Sequence, residues 1–291
     1  NMIMLFLGIE ILSISLYVLA GADKTNLASN EAAIKYFLMG AFATGFLLFG
    51  IALTYGATGS FSLAAINTAV SNGPGPNTMM LTAGVLLLLI AMSFKVSAAP
   101  FHFWAPDVYQ GAPTAVTAFM STVVKTAAFA AFLRLFSTVF SSNTEVWSST
   151  LWAIAALTIL LGNIAAAAQE NIKRMLAYSS VAHAGYMLLA ILAMNQLAAG
   201  ALFFYSVAYS LSSLLSFSIL LIISQKTGSE TISGFRGLFK SNPLLAVLTI
   251  VAMLSLAGIP PTAGFFAKYF VFTAALDAGY LGLVILAVAG S

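Results

Sequence analysis

The stretch Gly84-Val-Leu-Leu-Leu-Leu-Ile-Ala-Met-Ser-Phe-Lys95-Val-Ser-Ala-Ala-Pro100-Phe-His-Phe-Trp-Ala-Pro106-Asp-Val-Tyr-Gln-Gly-Ala-Pro113-Thr114 decides the fold. An apolar helical run reaches a lysine, and a proline five residues later stops it by removing a backbone donor and crowding the preceding turn. Upstream the same character continues: from Tyr36 to Phe94 there is no Asp, Glu, Lys or Arg, and the same holds from Met175 to Gln225. Each stretch is long enough for two bilayer crossings of ~20 residues with a turn between. The whole chain of 291 residues is 61% hydrophobic and 7% charged, against roughly 45–50% and about 25% in soluble domains. Such a chain has too little polar surface to cover a water-facing globule. Its apolar residues are enough for about nine spans. The fold class is therefore an all-α integral membrane protein, a multi-helix transmembrane bundle.

Composition also excludes chemistry. With no cysteine, disulfides, thiolate metal sites and protein-held iron–sulfur clusters are ruled out. Eleven Lys/Arg spread thinly, for a net charge of +3, make no basic patch for nucleic acid. Nothing matches a G-x-G-x-x-G or P-loop nucleotide signature. Two histidines, one of them in a loop, do not suit a haem clamped between helices.

Punctuation by Gly, Pro and charge predicts spans at 1–20, 32–56, 78–99, 114–138, 146–167, 173–194, 196–224, an interrupted 243–276, and a truncated ninth from about 279. Asn1–Ala20 lacks a basic leader and a cleavage site, so it is expected to be a helix rather than a signal peptide, in a fragment that begins and ends inside helices. Ser60–Ser71 is expected as a short surface helix and Asn72–Asn77 as a turn. Loops numbered after each span divide the bases unequally: Lys24, Lys35, Lys173, Arg174, Lys226, Arg236 and Lys240 belong to the odd side, Arg134 to the even. The positive-inside rule then places the odd loops in the cytoplasm.

Three bases, Lys95, Lys125 and Lys268, remain inside apolar spans, as does Glu10. At roughly 2.5–3.5 kcal/mol per central charge, four such groups oppose insertion by about 10–14 kcal/mol. Two explanations stand: ion pairs that glue helices together, or a line of protonable groups. One acid cannot pair with three bases, which favours titration. Desolvation loosens the proton on an ammonium and a nearby carboxylate restores it, so a lysine with a movable partner has a switchable proton affinity. Glu10 is the expected modulator and Lys95 its expected partner. Thr117, Ser121 and Lys125 share one helical face at a spacing of four; Tyr205, Tyr209, Ser212 or Ser213, and Ser216 do so on the seventh span. His183, beside Ser179 and Ser180, falls near mid-membrane as a relay or as a satisfied core histidine. Close packing through small polar residues is the alternative for each stripe.

Two spans are expected to be discontinuous, the third at Lys95–Pro100 and the eighth at Ala257-Gly-Ile-Pro-Pro-Thr-Ala-Gly264. Irregular backbone at membrane depth is tolerated only inside protein or along a cavity. Broken helices five spans apart are also what two inverted repeats would show, with two ordinary proline kinks as the alternative.

The run Phe94–Thr114, with Pro-Asp-Val-Tyr-Gln-Gly-Ala-Pro at its centre, resembles the signature of the antiporter-like membrane subunits of respiratory complex I, subunit N (mitochondrial subunit 2) in particular. Gly8-Ile-Glu10, Glu31–Phe37, Asn171–Ser180 with His183 and Gly185, and Gly258–Phe265 with Lys268 extend the resemblance along the whole chain. It implies two inverted five-helix repeats, the first about 1–140 and the second about 146–291, in a single proton-translocating transmembrane domain. It implies proton transfer by Glu10 paired with Lys95, by Lys125 as central carrier, by His183, and by Lys268 towards the far exit. It implies a place in NADH:quinone oxidoreductase (a translocase) among neighbouring antiporter-like subunits in the bilayer. This chain would bind no cofactor; NADH, FMN, iron–sulfur clusters and quinone would belong to partner subunits. A bacterial inner (plasma) membrane is the expected location. A Na⁺(K⁺)/H⁺ antiporter subunit of the same family is the alternative, and a structural spacer a third. His102 and Asp107 are expected only as polar residues that cap the signature loop.

Overall fold

A computed structural model describes residues 1–73 and 77–291; the expected turn at Asn72–Asn77 therefore falls partly outside the described residues. The chain is almost wholly helical. In order run α1 (Met2–Ala20), α2 (Leu27–Thr58), the short α3 (Leu63–Ser71), α4 (Thr78–Lys95), the re-entrant α5 (Trp104–Gly111) and α6 (Thr114–Val139). Then come α7 (Thr144–Ala167), α8 (Ile172–Ala193), α9 (Ala198–Thr227), α10 (Pro243–Ala257), α11 (Ala263–Asp277) and α12 (Leu281–Ala289). Among the described residues, seven helices are long and apolar enough to cross a membrane, and α10 with α11 makes one further interrupted run.

Local signals set the boundaries. The Asn26, Asn171 and Asn242 side chains accept from the first-turn amides of Ala28, Arg174 and Leu245, and cap α2, α8 and α10. Gly59 and Gly228, both left-handed, close α2 and α9. At 32 residues and 1.5 Å per residue, α2 exceeds the ~30 Å hydrocarbon layer, so its first turns, with Glu31 and Lys35, project at one end.

Both expected breaks are present. α4 ends at Lys95, four residues short of the predicted span end, because Ser97 adopts a left-handed φ of 57° and the chain turns back. α10 and α11 are separated by Gly258–Thr262. The bonds Ala99–Pro100 and Pro260–Pro261 are cis.

The bundle is organised around α8, whose side chains are buried nearly all round, as an apolar helix at a core must be. α7, α9 and α11 pack on it. By contrast α1 and α2 turn Ile11, Val18, Phe37 and Phe42 outward, an apolar face suited to lipid. The ends also sort as the loop numbering requires. Lys35, Asp107, Lys173, Arg174 and Glu230, from odd connections, meet at one end. Asn67 and Ser71 meet Thr138 and Ser142, from even connections, elsewhere.

Candidate functional site: a buried line of ionisable side chains

The three lysines expected inside spans are all buried: Lys95 at 9% exposure, Lys125 at 3% and Lys268 at 6%. Among the described residues none makes an ion pair; each gives its protons to neutral oxygens instead. Lys95 donates to Ser13 Oγ at 2.7 Å. Glu10, one turn earlier on α1, accepts from Thr44 Oγ1 at 2.6 Å. The expected Glu10–Lys95 pair is thus an indirect one: Ser13 and Thr44, with Tyr17, line a cavity of about 20 Å³ that Lys95 also lines. Such a volume holds about one water molecule.

Lys125 lies at the middle of α6. Its Nζ donates to the Ser180 carbonyl at 2.7 Å and to Ser180 Oγ at 2.5 Å. The Tyr109 and Tyr209 hydroxyls also reach Ser180, and Tyr209 further meets Ser121 and Ser213. A π turn at Met120–Val124 immediately precedes Lys125. The wider turn breaks the simple four-residue face: Thr117 Oγ1 bonds the Tyr109 carbonyl at 2.9 Å and Ser121 Oγ the Ala118 carbonyl at 3.0 Å.

His183, 5% exposed, meets the Tyr205 hydroxyl through Nδ1 at 2.7 Å and stacks near Tyr209 with centroids 4.8 Å apart. It lies within electrostatic reach of both Lys125 and Lys268. Lys268 Nζ donates to the Ala257 carbonyl at 2.8 Å and to Ser291 Oγ at 2.6 Å, and lies 5.0 Å from the Tyr186 ring centre. Ala257 is the last residue of α10, so the break supplies an orphan carbonyl and the negative end of a helix dipole to an ammonium. Gly264 permits this crossing, since a Cβ there would overlap the Ser255 carbonyl oxygen. A cavity of about 240 Å³ is lined by Asn163, Ser179, His183, Tyr186, Lys268 and Ser291.

Ser13, Thr44, Ser180 and Tyr109 were not among the expected proton-transfer residues. Ser13 was legible as the residue three after Glu10; Ser180 and Tyr109 depend on tertiary contact. Asp107 departs from the expectation of a loop cap. It accepts from Lys35 at 2.7 Å and from Arg174 at 2.8 Å. Burial pushes its carboxyl up, but hydrogen bonds from those two cations outweigh this and hold it below the usual carboxylate range. His102 is buried beside Tyr178, with Nδ1 unpartnered. Among the described residues no group of His, Asp and Glu could hold a metal ion.

Fold and site together define a polytopic helical membrane protein with protonable side chains set through its middle and helix breaks beside two of them. Over residues 1–291 the chain matches the family described as NADH:quinone oxidoreductase/Mrp antiporter, TM, and it belongs to that family. It is 51% identical over its full length to NADH-quinone oxidoreductase subunit N of Cytophaga hutchinsonii, covering 63% of that protein. It is 47% identical to subunit N of Trichlorobacter lovleyi, covering all of this chain and 60% of that one. The chain thus spans about three fifths of the length of these relatives. Among solved structures, it superposes on a chain of respiratory complex I from Thermus thermophilus with a TM-score of 0.82 and 42% identity, covering 100% of this chain and 62% of that one. A chain of the Mrp complex from Dietzia gives a TM-score of 0.90 at 26% identity, covering 100% and 54%.

Proposed function

We propose that this chain is part of the proton-translocating membrane subunit of NADH:quinone oxidoreductase and conducts H⁺ through Glu10, Lys95, Lys125, His183 and Lys268. The observation that carries this reading is Lys125: an amine buried at mid-span, held by Ser180 oxygens and without a carboxylate partner. A fixed structural cation in hydrocarbon would need a counter-charge; an amine on hydroxyls and a carbonyl can release its proton and keep its contacts. The hydroxyls of Ser180, Tyr209 and Tyr205 lead from it towards His183 and Lys268, and water of the size its cavity admits would join Lys95 to Glu10's side. Redox chemistry belongs to partner subunits carrying NADH, FMN, iron–sulfur clusters and quinone. Their signal must supply about 2.3 kcal/mol for each proton moved against ~100 mV.

The identities to subunit N chains support complex I over the related antiporters, because fold alone does not fix function. The higher TM-score with the Mrp chain keeps a Na⁺(K⁺)/H⁺ antiporter subunit as the second reading. The two helix breaks support a division into repeats of about 1–140 and 146–291 with opposite orientations. The gathering of odd connections at one end supports their exposure to the cytoplasm of a bacterial inner membrane.

The test is proton pumping per NADH oxidised in vesicles holding the complete complex, for Glu10→Ala and Lys125→Ala. Both variants should lower the ratio. Wild-type ratios in both, with the complex intact, overturn the proposal; transport that runs without NADH and follows Na⁺ or K⁺ selects the antiporter.

A further inference from the structure

One charged cluster lies outside the buried line. At the end shared by the odd connections, Asp107 receives Lys35 from α2 and Arg174 from α8. Lys35 is shared with Glu31 at 2.7 Å. Arg174 also donates to Gln110 at 3.0 Å and stands 5.7 Å over the Tyr178 ring. A cleft of about 180 Å³ lined by Glu31, Lys35, Asp107 and Gln110 admits solvent to it. Ion pairs this exposed add little to stability. Their geometry is more specific, because the single carboxylate ties the short α5 to two different helices.

α5 carries a second tie on its opposite face. Residues two apart on a helix point away from each other, so Asp107 faces the cluster while Tyr109, 1% exposed, faces inward. The Tyr109 hydroxyl reaches Ser180, and the Tyr109 carbonyl takes the hydrogen bond of Thr117 on α6. Ser180 is the residue that holds Lys125 Nζ. Arg174 and Ser180 are both on α8, less than two turns apart. Thus α5 joins α8 at two levels, Asp107–Arg174 outside and Tyr109–Ser180 inside, and the inner level is the Lys125 site itself.

We propose that Asp107 is a positioning residue for proton transfer at Lys125: clamped by Lys35 and Arg174, it seats α5 so that Tyr109 stays against Ser180, whose two oxygens hold the lysine. This rests on the reading of Lys125 as a proton carrier. Without the clamp α5 remains in place through its apolar contacts, but shifts by an amount that matters to a hydrogen bond and not to burial.

The experiment compares Asp107→Asn, Asp107→Glu and Lys125→Ala in the complete complex, reading pumping rate per assembled complex and its pH profile. Asp107→Asn should lower the rate by roughly tenfold, well inside the ~100-fold that a misplacement of 1 Å can cost, and should move the pH profile. Asp107→Glu should restore most of the rate. Wild-type rate and profile in Asp107→Asn, beside a defective Lys125→Ala, overturn the clamp alone. Wild-type pumping in Lys125→Ala removes the reading beneath it and the clamp with it. If Asp107→Asn does not assemble, Tyr109→Phe carries the test, since it deletes only the hydroxyl that meets Ser180: the same shift is expected, and an unchanged profile overturns the proposal.

Discussion

Lys125 shows what a residue type at one position can and cannot announce. Its depth within Thr114–Val139 was visible as a base far from either end of an apolar span, and its burial follows directly. Its partner was not visible, because Ser180 is 55 positions away and one of several serines that could have faced it. The same limit applies to Asp107. Lys35 and Arg174 stood out only as loop charges that orient the chain, and nothing local says that both end on one carboxylate. This cluster gives a pH prediction. The Asp107 carboxyl is held below its ordinary value near ~3.9, so the contribution of its ion pairs is present above that value and is lost as pH falls through the lower native one. Thermal unfolding followed between about pH 5 and pH 2 should show an acid-dependent loss in the wild type that is smaller in Asp107→Asn. Equal slopes would show that the pairs contribute nothing measurable to stability.

At the scale of elements, the helix breaks were legible because proline and glycine act through backbone sterics that need no partner. The spans were likewise set by apolar length, and their bounds shift by only a few residues. The π turns at Met120–Val124 and Leu135–Val139 were not legible. No residue type demands an i→i+5 bond, and such turns form where tertiary contact favours the extra residue. The α10–α11 break makes two predictions. At Gly264 an added Cβ would overlap the Ser255 carbonyl oxygen, so Gly264→Ala should destabilise the fold by ~1–3 kcal/mol, read as a lower unfolding midpoint in detergent. Gly258 has φ of 80°, and a Cβ there would come within 2.8 Å of Lys268 Cδ. Gly258→Ala should therefore displace the lysine and lower pumping; a wild-type rate would show that Lys268 tolerates a different seat.

For the molecule as a whole, the sequence carried class and the sorting of the connections better than it carried assembly. Apolar content defined a bundle, and the asymmetry of Lys and Arg matches the gathering of odd connections at one end. Which helix lies at the centre was obscured, since α8 is no more apolar than its neighbours and is distinguished only by what packs around it. Topology can be tested directly because the chain has no cysteine. Ser229→Cys, near the exposed start of the α9–α10 connection, should react with an impermeant thiol reagent only from the cytoplasmic side, and Ser71→Cys only from the opposite side. The reverse pattern would invert the orientation and leave the fold intact.

The most direct measurement of the central idea is infrared difference spectroscopy of the complete complex in vesicles as NADH is added and exhausted, comparing wild type with Lys125→Met. If the stranded amine carries H⁺, the wild type should show a reversible ammonium-to-amine signal during turnover that is missing from the variant. Identical spectra from the two, with the wild type pumping throughout, would show that Lys125 never releases its proton and would contradict the account.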